Sequence, residues 1–199
     1  MWLTWLILII AAYLIGSIPC AFLLVKLASG RDIRKFGSGN PGSTNSVRAA
    51  GPVIGGLVFL CDGLKSALPT LVGLLLVGPS LAACAGLAAF IGHLYPVWLR
   101  FEGGKGVACL LGMGLVLVPG IAGICFGVWG VLTLITGYVS VGSCAGACAA
   151  FLLCLFTAQP WVLTLLFAVT AALVVLRHRT NIQHILDGTE RKVLRRHRP

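Results

Sequence analysis

Apolar residues run along this chain in long stretches, and the polar positions collect in a few compact clusters between them. Residues 2–28 form the first apolar stretch. A polar segment, 29–50, separates it from a second, 51–99, which Gly78 and Pro79 interrupt. A short polar hinge, 100–106, leads into a tract from Val107 to Leu176 with no charged residue. Pro119-Gly120, the segment Gly137–Ser143 and Gln159-Pro160 divide that tract, and a basic tail closes the chain. A membrane-spanning helix needs about 20 predominantly apolar residues, within a range of about 17–25. The charge-free tract is therefore long enough for three or four spans.

The cations decide between the two counts. Arg31, Arg34, Lys35 and Arg48 sit in the first polar segment, and Arg100 and Lys105 in the hinge. Arg177, Arg179, Arg191, Lys192, Arg195, Arg196 and Arg198 sit in the tail, while the turns near residues 78–80, 118–120 and 157–160 carry no Lys or Arg. Lys and Arg concentrate in cytoplasmic loops. If these three basic segments share the cytoplasmic side, the last tract crosses an even number of times, as 107–118, 120–136, 144–158 and 161–176. The expectation is an all-α polytopic membrane protein of seven transmembrane helices, with its N-terminus outside and its C-terminus cytoplasmic. It forms one membrane-embedded domain, 1–199. The first stretch reads as a span rather than a cleavable leader, because the first charge is Lys26 and no basic residue precedes the apolar run. The same parity puts the Gly137–Ser143 turn, with Ser140 and Ser143, on the cytoplasmic face beside the other polar segments.

Composition agrees. Apolar residues make up 58% of the chain and charged residues 10%, against about 45–50% and about 25% in soluble domains. That excludes a water-soluble enzyme, a disordered chain, a fibre and a nucleic-acid module, so the net charge of +10 is read through its placement and implies no nucleic-acid partner. Cys20, Cys61, Cys84, Cys109, Cys125, Cys144, Cys148 and Cys154 lie in apolar runs without CxxC spacing. They read as small residues at helix interfaces rather than disulfides or metal ligands, and no metal site or cofactor is expected.

The chemistry lies in the polar clusters. The first reads Gly37-Ser-Gly-Asn-Pro-Gly-Ser-Thr-Asn45 and continues to Arg48. Gly37, Gly39 and Gly42 fit GxGxxG, but no strand precedes them, and position 43 is Ser where a P-loop needs Lys. The physics of both motifs still applies: glycines let backbone N–H groups turn into one anion-attracting concavity. Ser38, Asn40, Thr44 and Asn45 add side-chain polarity, and Arg48 is expected near a helix start, where the dipole also favours an anion. In the hinge, Lys105 is flanked by Gly103, Gly104 and Gly106, which would let its ammonium approach a phosphate as a point charge. His93 precedes it as either a ligand or a hydrogen-bonded structural histidine. Asp62 and Lys65, spaced i, i+3 in a span, read as a mutual structural pair. In the tail, His178 and Asn181 share a helix face, and Arg177, Arg179 and the last arginines read as lipid-headgroup contacts. The set is rich in phosphate ligands and poor in acids, as suits a phosphate site at the cytoplasmic leaflet. A transporter for a phosphorylated metabolite would use similar cations but would need polar residues at mid-membrane in several helices and an internal repeat. A non-catalytic scaffold would leave the glycine loops unexplained.

Together GSGNPGSTN at 37–45 with Arg48, GH-x2-P at 92–96 running into FEGGKG at 101–106, and HRTNI with a later G-x-E at 178–190 resemble the acyl-phosphate:glycerol-3-phosphate acyltransferases of bacterial inner membranes, the PlsY family. Glu102, Cys109 and His184 depart from the residues usual in that family. The resemblance implies seven helices and transfer of a fatty acyl group from acyl phosphate to the 1-hydroxyl of glycerol 3-phosphate, the first acylation of phospholipid biosynthesis, giving lysophosphatidic acid and phosphate. It further implies functional coupling to the enzyme that forms the acyl phosphate. By the same resemblance, Arg48, Lys105 and His178 clamp the phosphate of glycerol 3-phosphate, and Ser38, Ser143 and Asn181 bind the reacting groups. The glycine loop with Asn45 seats the acyl-phosphate head. His178, the one local candidate for an enzymic base, is by this resemblance engaged with phosphate, so the donor's own phosphate is expected to take the proton.

Overall fold

The computed structural model describes residues 2–193. Arg195, Arg196 and Arg198, among the tail cations expected on the cytoplasmic side, lie outside the described residues. The chain divides into two compact units, one up to Leu117 and one from Val118.

In the first unit, the apolar stretch 2–28 is two helices, α1 (Trp2–Gly16) and α2 (Cys20–Ser29), which together make a span of 28 residues. Pro19 explains the break, since it lacks the N–H that a continuous helix would use. Two side chains answer the carbonyls near the break: Ser17 Oγ donates to Tyr13 O at 2.9 Å, and Lys65 Nζ to Ile18 O at 3.0 Å. A 3₁₀ turn at Ile33–Lys35 and α3 (Ser43–Ala50) follow, then α4 (Pro52–Leu76), α5 (Pro79–Leu94), a 3₁₀ turn at Val97–Leu99 and α6 (Val107–Leu117). Proline stands at the first position of both α4 and α5, where its fixed φ suits the helix and its missing N–H removes nothing. The α4 helix packs against α3, α5 and α6, and α1 packs against α5. Side chains are absent where backbones meet most closely. A Cβ on Gly16 would strike the Ala89 backbone, and one on Gly112 that of Gly63. Small residues let helices approach where lipid offers no hydrophobic drive for association.

The second unit contains α7 (Pro119–Thr136), α8 (Val139–Phe156), α9 (Trp161–Arg177) and α10 (Arg179–Leu186). The α8 helix packs against both α7 and α9. It begins at Val139, so Ser140 and Ser143 stand in its first turns and not in the turn expected at 137–143. The loop shrinks to Gly137 and Tyr138 because Gly137 caps α7 in the left-handed region, φ +78°, and Tyr138 is already the N-cap of α8. The segment after α10 returns to this turn: Val193 N donates to Gly137 O at 2.9 Å, and Lys192 Nζ lies 5.2 Å from the Tyr138 ring centre.

Among the described residues, five helices are long and apolar enough to cross a membrane: Trp2–Ser29, Pro52–Leu76, Pro79–Leu99, Pro119–Thr136 and Val139–Phe156. The pair α9 and α10, bent by 50°, makes a sixth if taken as one span. The remaining expected segment, α6, has 11 residues, and at 1.5 Å per residue it is about 16 Å long. Large apolar side chains such as Leu75, Leu134 and Phe156 point outward with most of their surface exposed, as a lipid-facing surface requires. The chain is thus a multi-pass, all-helical membrane protein.

Candidate functional site

The glycine loop is built around Asn45, which is 1% exposed. Its Nδ2 donates to Phe36 O at 2.8 Å and Ile33 O at 3.2 Å, and its Oδ1 accepts from Ser38 N at 3.2 Å. Gly37 adopts φ +62° and Gly39 φ +71°. Gly37 must be glycine on two counts, since a Cβ there would also strike the Asn45 carboxamide. The loop differs from the concavity of free amides expected from its glycines. Ser38 N is held by Asn45, Gly39 N donates to Phe36 O at 2.9 Å and Gly42 N to Asn40 O at 3.0 Å. Asn45 likewise uses both amide hydrogens inside the loop and offers none to a ligand. The donors that helix geometry leaves for an anion are the first-turn amides of α3 at Ser43, Thr44 and Asn45. Ser38 remains exposed and Thr44 half-buried. Arg48, expected near a helix start, lies in the last turn of α3. That is the negative end of the α3 dipole, which favours the guanidinium itself.

Asp32 begins the 3₁₀ turn before this loop. Its carboxylate accepts from Arg34 N at 3.0 Å and from Arg34 Nε and Nη2 at 3.0 and 2.8 Å. This bidentate partner lowers the Asp32 pKa to about 2 and raises that of Arg34. Arg34 also lies over the Phe22 ring, 5.0 Å from its centre, so the pair ties the loop to α2.

The hinge leaves α5 by doubling back. Arg100 and Phe101 adopt left-handed conformations, φ +52° and +65°, uncommon for residues with side chains. Phe101 N donates to Pro96 O at 3.0 Å, Gly103 N to Leu94 O at 3.1 Å and Gly104 N to His93 O at 3.1 Å. Lys105 follows, half-buried, and Gly106 at φ +86° immediately precedes α6. Beneath this hinge lies a buried charge cluster. Lys65 Nζ stands 2.8 Å from Asp62 Oδ1, the pair expected from the spacing, and His93 Nδ1 lies 3.6 Å from the same oxygen. His93, a candidate substrate contact, is 6% exposed. Asp62, Lys65, His93, Gly103 and Gly104 line one small cleft of about 220 Å³, including its open mouth.

In the second unit, His178 occupies the bend between α9 and α10 and is 4% exposed. Its Nδ1 lies 2.8 Å from Val174 O; a carbonyl only accepts, so Nδ1 carries the hydrogen. Asn181 Nδ2 donates to Glu190 Oε1 at 2.6 Å, and Ser140 Oγ donates to the same oxygen at 3.3 Å. Ser143 is 3% exposed, one turn along α8 from Ser140. Glu190 was no site candidate in the sequence, although it ends the G-x-E quoted in the tail. Its signal is scarcity, since the chain holds only five acids.

Comparison with known proteins gives these geometries a context. The family model described as glycerol-3-phosphate acyltransferase matches residues 6–188. Curated relatives of that name include one from Syntrophotalea carbinolica, 43% identical over 94% of this chain and 96% of its own, and one from Moorella thermoacetica, numbered 2, 41% identical over 95% and 97%. A crystal structure of PlsY (YgiH), an integral membrane glycerol 3-phosphate acyltransferase in its glycerol 3-phosphate form, superposes with a TM-score of 0.93 at 39% identity over 96% of each chain. A lysophosphatidic acid form of PlsY superposes with a TM-score of 0.88 at 38% identity over 95% of each. The chain belongs to the glycerol-3-phosphate acyltransferase family, integral membrane acyltransferases of phospholipid biosynthesis.

Proposed function

We propose that this protein transfers a fatty acyl group from acyl phosphate to the 1-hydroxyl of sn-glycerol 3-phosphate, giving lysophosphatidic acid and inorganic phosphate. The observation that carries the reading is the similarity, over 96% of each chain, to PlsY in its glycerol 3-phosphate form, joined to a chain whose polar clusters are rich in cations and amide donors and poor in acids. Acyl phosphate as the donor follows from the motif resemblance.

The donor is a mixed anhydride and needs no covalent enzyme intermediate. The acceptor hydroxyl oxygen attacks the acyl carbonyl carbon, the carbon–oxygen bond to phosphate breaks, and the hydroxyl proton passes to the departing phosphate. Arg48, Lys105 and His178 bind the phosphate of glycerol 3-phosphate. Ser38, Ser143 and Asn181 hydrogen-bond the reacting groups. The segment of Gly37, Gly39, Asn40, Gly42, Thr44 and Asn45 seats the acyl-phosphate head at the first turn of α3, with Asn45 as its internal pin, and Gly103, Gly104 and Gly106 shape the loop that carries Lys105. The protein contributes orientation, about 7–11 kcal/mol in well-aligned reactions, and fixed donors, each about 2.7–4 kcal/mol. No cofactor takes part.

The protein lies in the bacterial inner membrane, crossing it seven times with its N-terminus outside and its active site facing the cytoplasm, and is functionally coupled to the enzyme that forms acyl phosphate. A long acyl chain, partitioning at about 0.8 kcal/mol per CH₂, reaches the site from the inner leaflet. Purified protein is given labelled glycerol 3-phosphate with acyl phosphate, acyl-CoA or acyl carrier protein. Lysophosphatidic acid forming only with acyl phosphate is the expected result, and equal or greater product from a thioester overturns the donor assignment. A reporter fused at Ser80 should be external; a cytoplasmic reporter overturns the topology.

A further inference from the structure

A carboxylate inside a membrane-spanning helix is costly unless it is paired. Lys65 alone, at 2.8 Å from Oδ1, already neutralises Asp62. Yet a second nitrogen, His93 Nδ1 from the last turn of the neighbouring helix α5, lies 3.6 Å from the same oxygen, within ion-pair range and beyond hydrogen-bond distance. The position of that ring matters because the hinge lies directly on it. Gly104 N donates to His93 O, and Gly103 N to Leu94 O. A Cβ on Gly104 would strike the His93 ring, and one on Gly103 the His93 carbonyl. Backbone without side chains therefore rests flat on His93, and Lys105 is the next residue. Lys65 extends the same chain of contacts to the other side, donating to Ile18 O at the break between α1 and α2.

We propose that Asp62 and His93 form a buttress that fixes the 103–106 loop and so places the Lys105 ammonium, which makes His93 a positioning residue instead of a group that touches the phosphate. The inference rests on the reading of Lys105 as a phosphate ligand. A lysine stem is flexible and its ammonium is a point charge, so the accuracy of such a ligand comes from the backbone that carries it. The fold supplies that accuracy from below the loop, within the span, where Asp62 is 3% and His93 6% exposed.

The test uses purified full-length protein and two readouts, hydrogen–deuterium exchange of peptides covering 101–107 without substrate, and steady-state kinetics. His93→Leu removes the nitrogen that meets Asp62 while keeping bulk. It should raise exchange in 101–107 and raise KM for glycerol 3-phosphate by up to about 100-fold, with KM for the acyl donor unchanged. His93→Asn, which keeps a donor near the Nδ1 position, should restore both readouts in part. Asp62→Asn should raise exchange in the same peptides, and adding it to His93→Leu should change nothing further. If Asp62→Asn does not fold, the two His93 variants decide the matter. Wild-type exchange at 101–107 in His93→Leu overturns the buttress, and joined to a fall in kcat it makes His93 a substrate contact. Exchange raised throughout α5 overturns it in favour of a general packing role. Should the wild-type protein make no lysophosphatidic acid, the functional reading fails, while the exchange measurements still decide whether the buttress exists.

Discussion

Asn45 holds Ser38 by its backbone: the Ser38 amide donates to Asn45 Oδ1 at 3.2 Å across seven residues of chain. The other end of the same carboxamide donates to two carbonyls, of Ile33 and Phe36. One buried side chain thus closes the loop that presents the Ser38 hydroxyl.

Replacement of Asn45 should therefore cost stability before it costs a ligand contact. Asn45→Ala leaves the Ser38 amide without its acceptor, a loss of about 1–3 kcal/mol where burial keeps water out, and takes one of two donors from the carbonyls of Ile33 and Phe36, which still accept from the amides of Phe36 and Gly39. Asn45→Asp should be worse, because it sets a carboxylate oxygen against the carbonyls of Ile33 and Phe36. Thermal unfolding of the purified variants checks the order, wild type above Asn45→Ala above Asn45→Asp. An unchanged midpoint with lost activity would make Asn45 a direct ligand.

Asp32 gives a pH dependence of known sign. Its folded pKa, about 2, lies below the unfolded value of about 3.9. A depressed carboxylate contributes stability that is fully present above the unfolded pKa and is lost as pH falls through the folded one. Wild-type protein should therefore lose this contribution between about pH 4 and pH 2, whereas Asp32→Asn lacks it throughout. Unfolding midpoints of the two should differ at neutral pH and converge near pH 2. Because the pair is open to solvent, the gap should also shrink with added salt.

Much of this was legible in the sequence and some was not, for identifiable reasons. The apolar runs and their Pro and Gly interruptions mark the helices from α4 onward closely, because backbone breakers act locally. The start of α8 is the exception, since Gly142 and Ser143 look like turn residues and put the expected start at 144, five residues beyond Val139. In the structure, Gly142 is helical and packed where a Cβ would strike Trp129 O. Its smallness serves a helix–helix contact, which no local pattern reveals. The i, i+3 spacing gave the Asp62–Lys65 pair, but the approach of His93 depends on how α5 packs on α4. The glycines of the first loop suggest amides open to an anion, but Gly39 N and Gly42 N are spent on carbonyls of the loop itself, and Ser38 N on Asn45 of the next helix, pairings that composition does not reveal.

Glu190 is the hub of the tail. It accepts from Asn181 on α10 and from Ser140 on α8 through one oxygen, so Glu190→Ala should release both. Hydrogen bonds to a charged group are worth about 1.5–3 kcal/mol, so unfolding should shift by that order, and activity should fall with Asn181 misplaced. In a double-mutant cycle with Asn181→Ala, the combined loss should be well below the sum of the single losses. Full additivity would show that the 2.6 Å contact contributes nothing.

Lys105→Ala should abolish turnover, with a loss of about 100-fold to 1,000-fold or more if one fixed donor is removed. Near-wild-type rates would remove Lys105 from the phosphate clamp. Thermal unfolding of the variant separates the two roles: a midpoint close to wild type joined to lost turnover makes Lys105 a ligand. A large drop in the midpoint would instead make Lys105 a structural cation.

His178 can be tested for its role because one of its nitrogens is assigned. Nδ1–H donates to Val174 O at 2.8 Å, so chemistry at this ring passes through Nε2. As a phosphate ligand the ring donates from Nε2 and must be the imidazolium; as a base it accepts there and must be neutral. Asparagine imitates the Nδ1 end of histidine and glutamine the Nε2 end, and neither is a base. A ligand role predicts that His178→Asn raises KM for glycerol 3-phosphate and that His178→Gln recovers part of the loss through its amide donor. A base role predicts that both variants keep KM and lose kcat alike, by about 100-fold to 10,000-fold. The proton route through the departing phosphate requires the first pattern, and steady-state kinetics of the two variants distinguishes them.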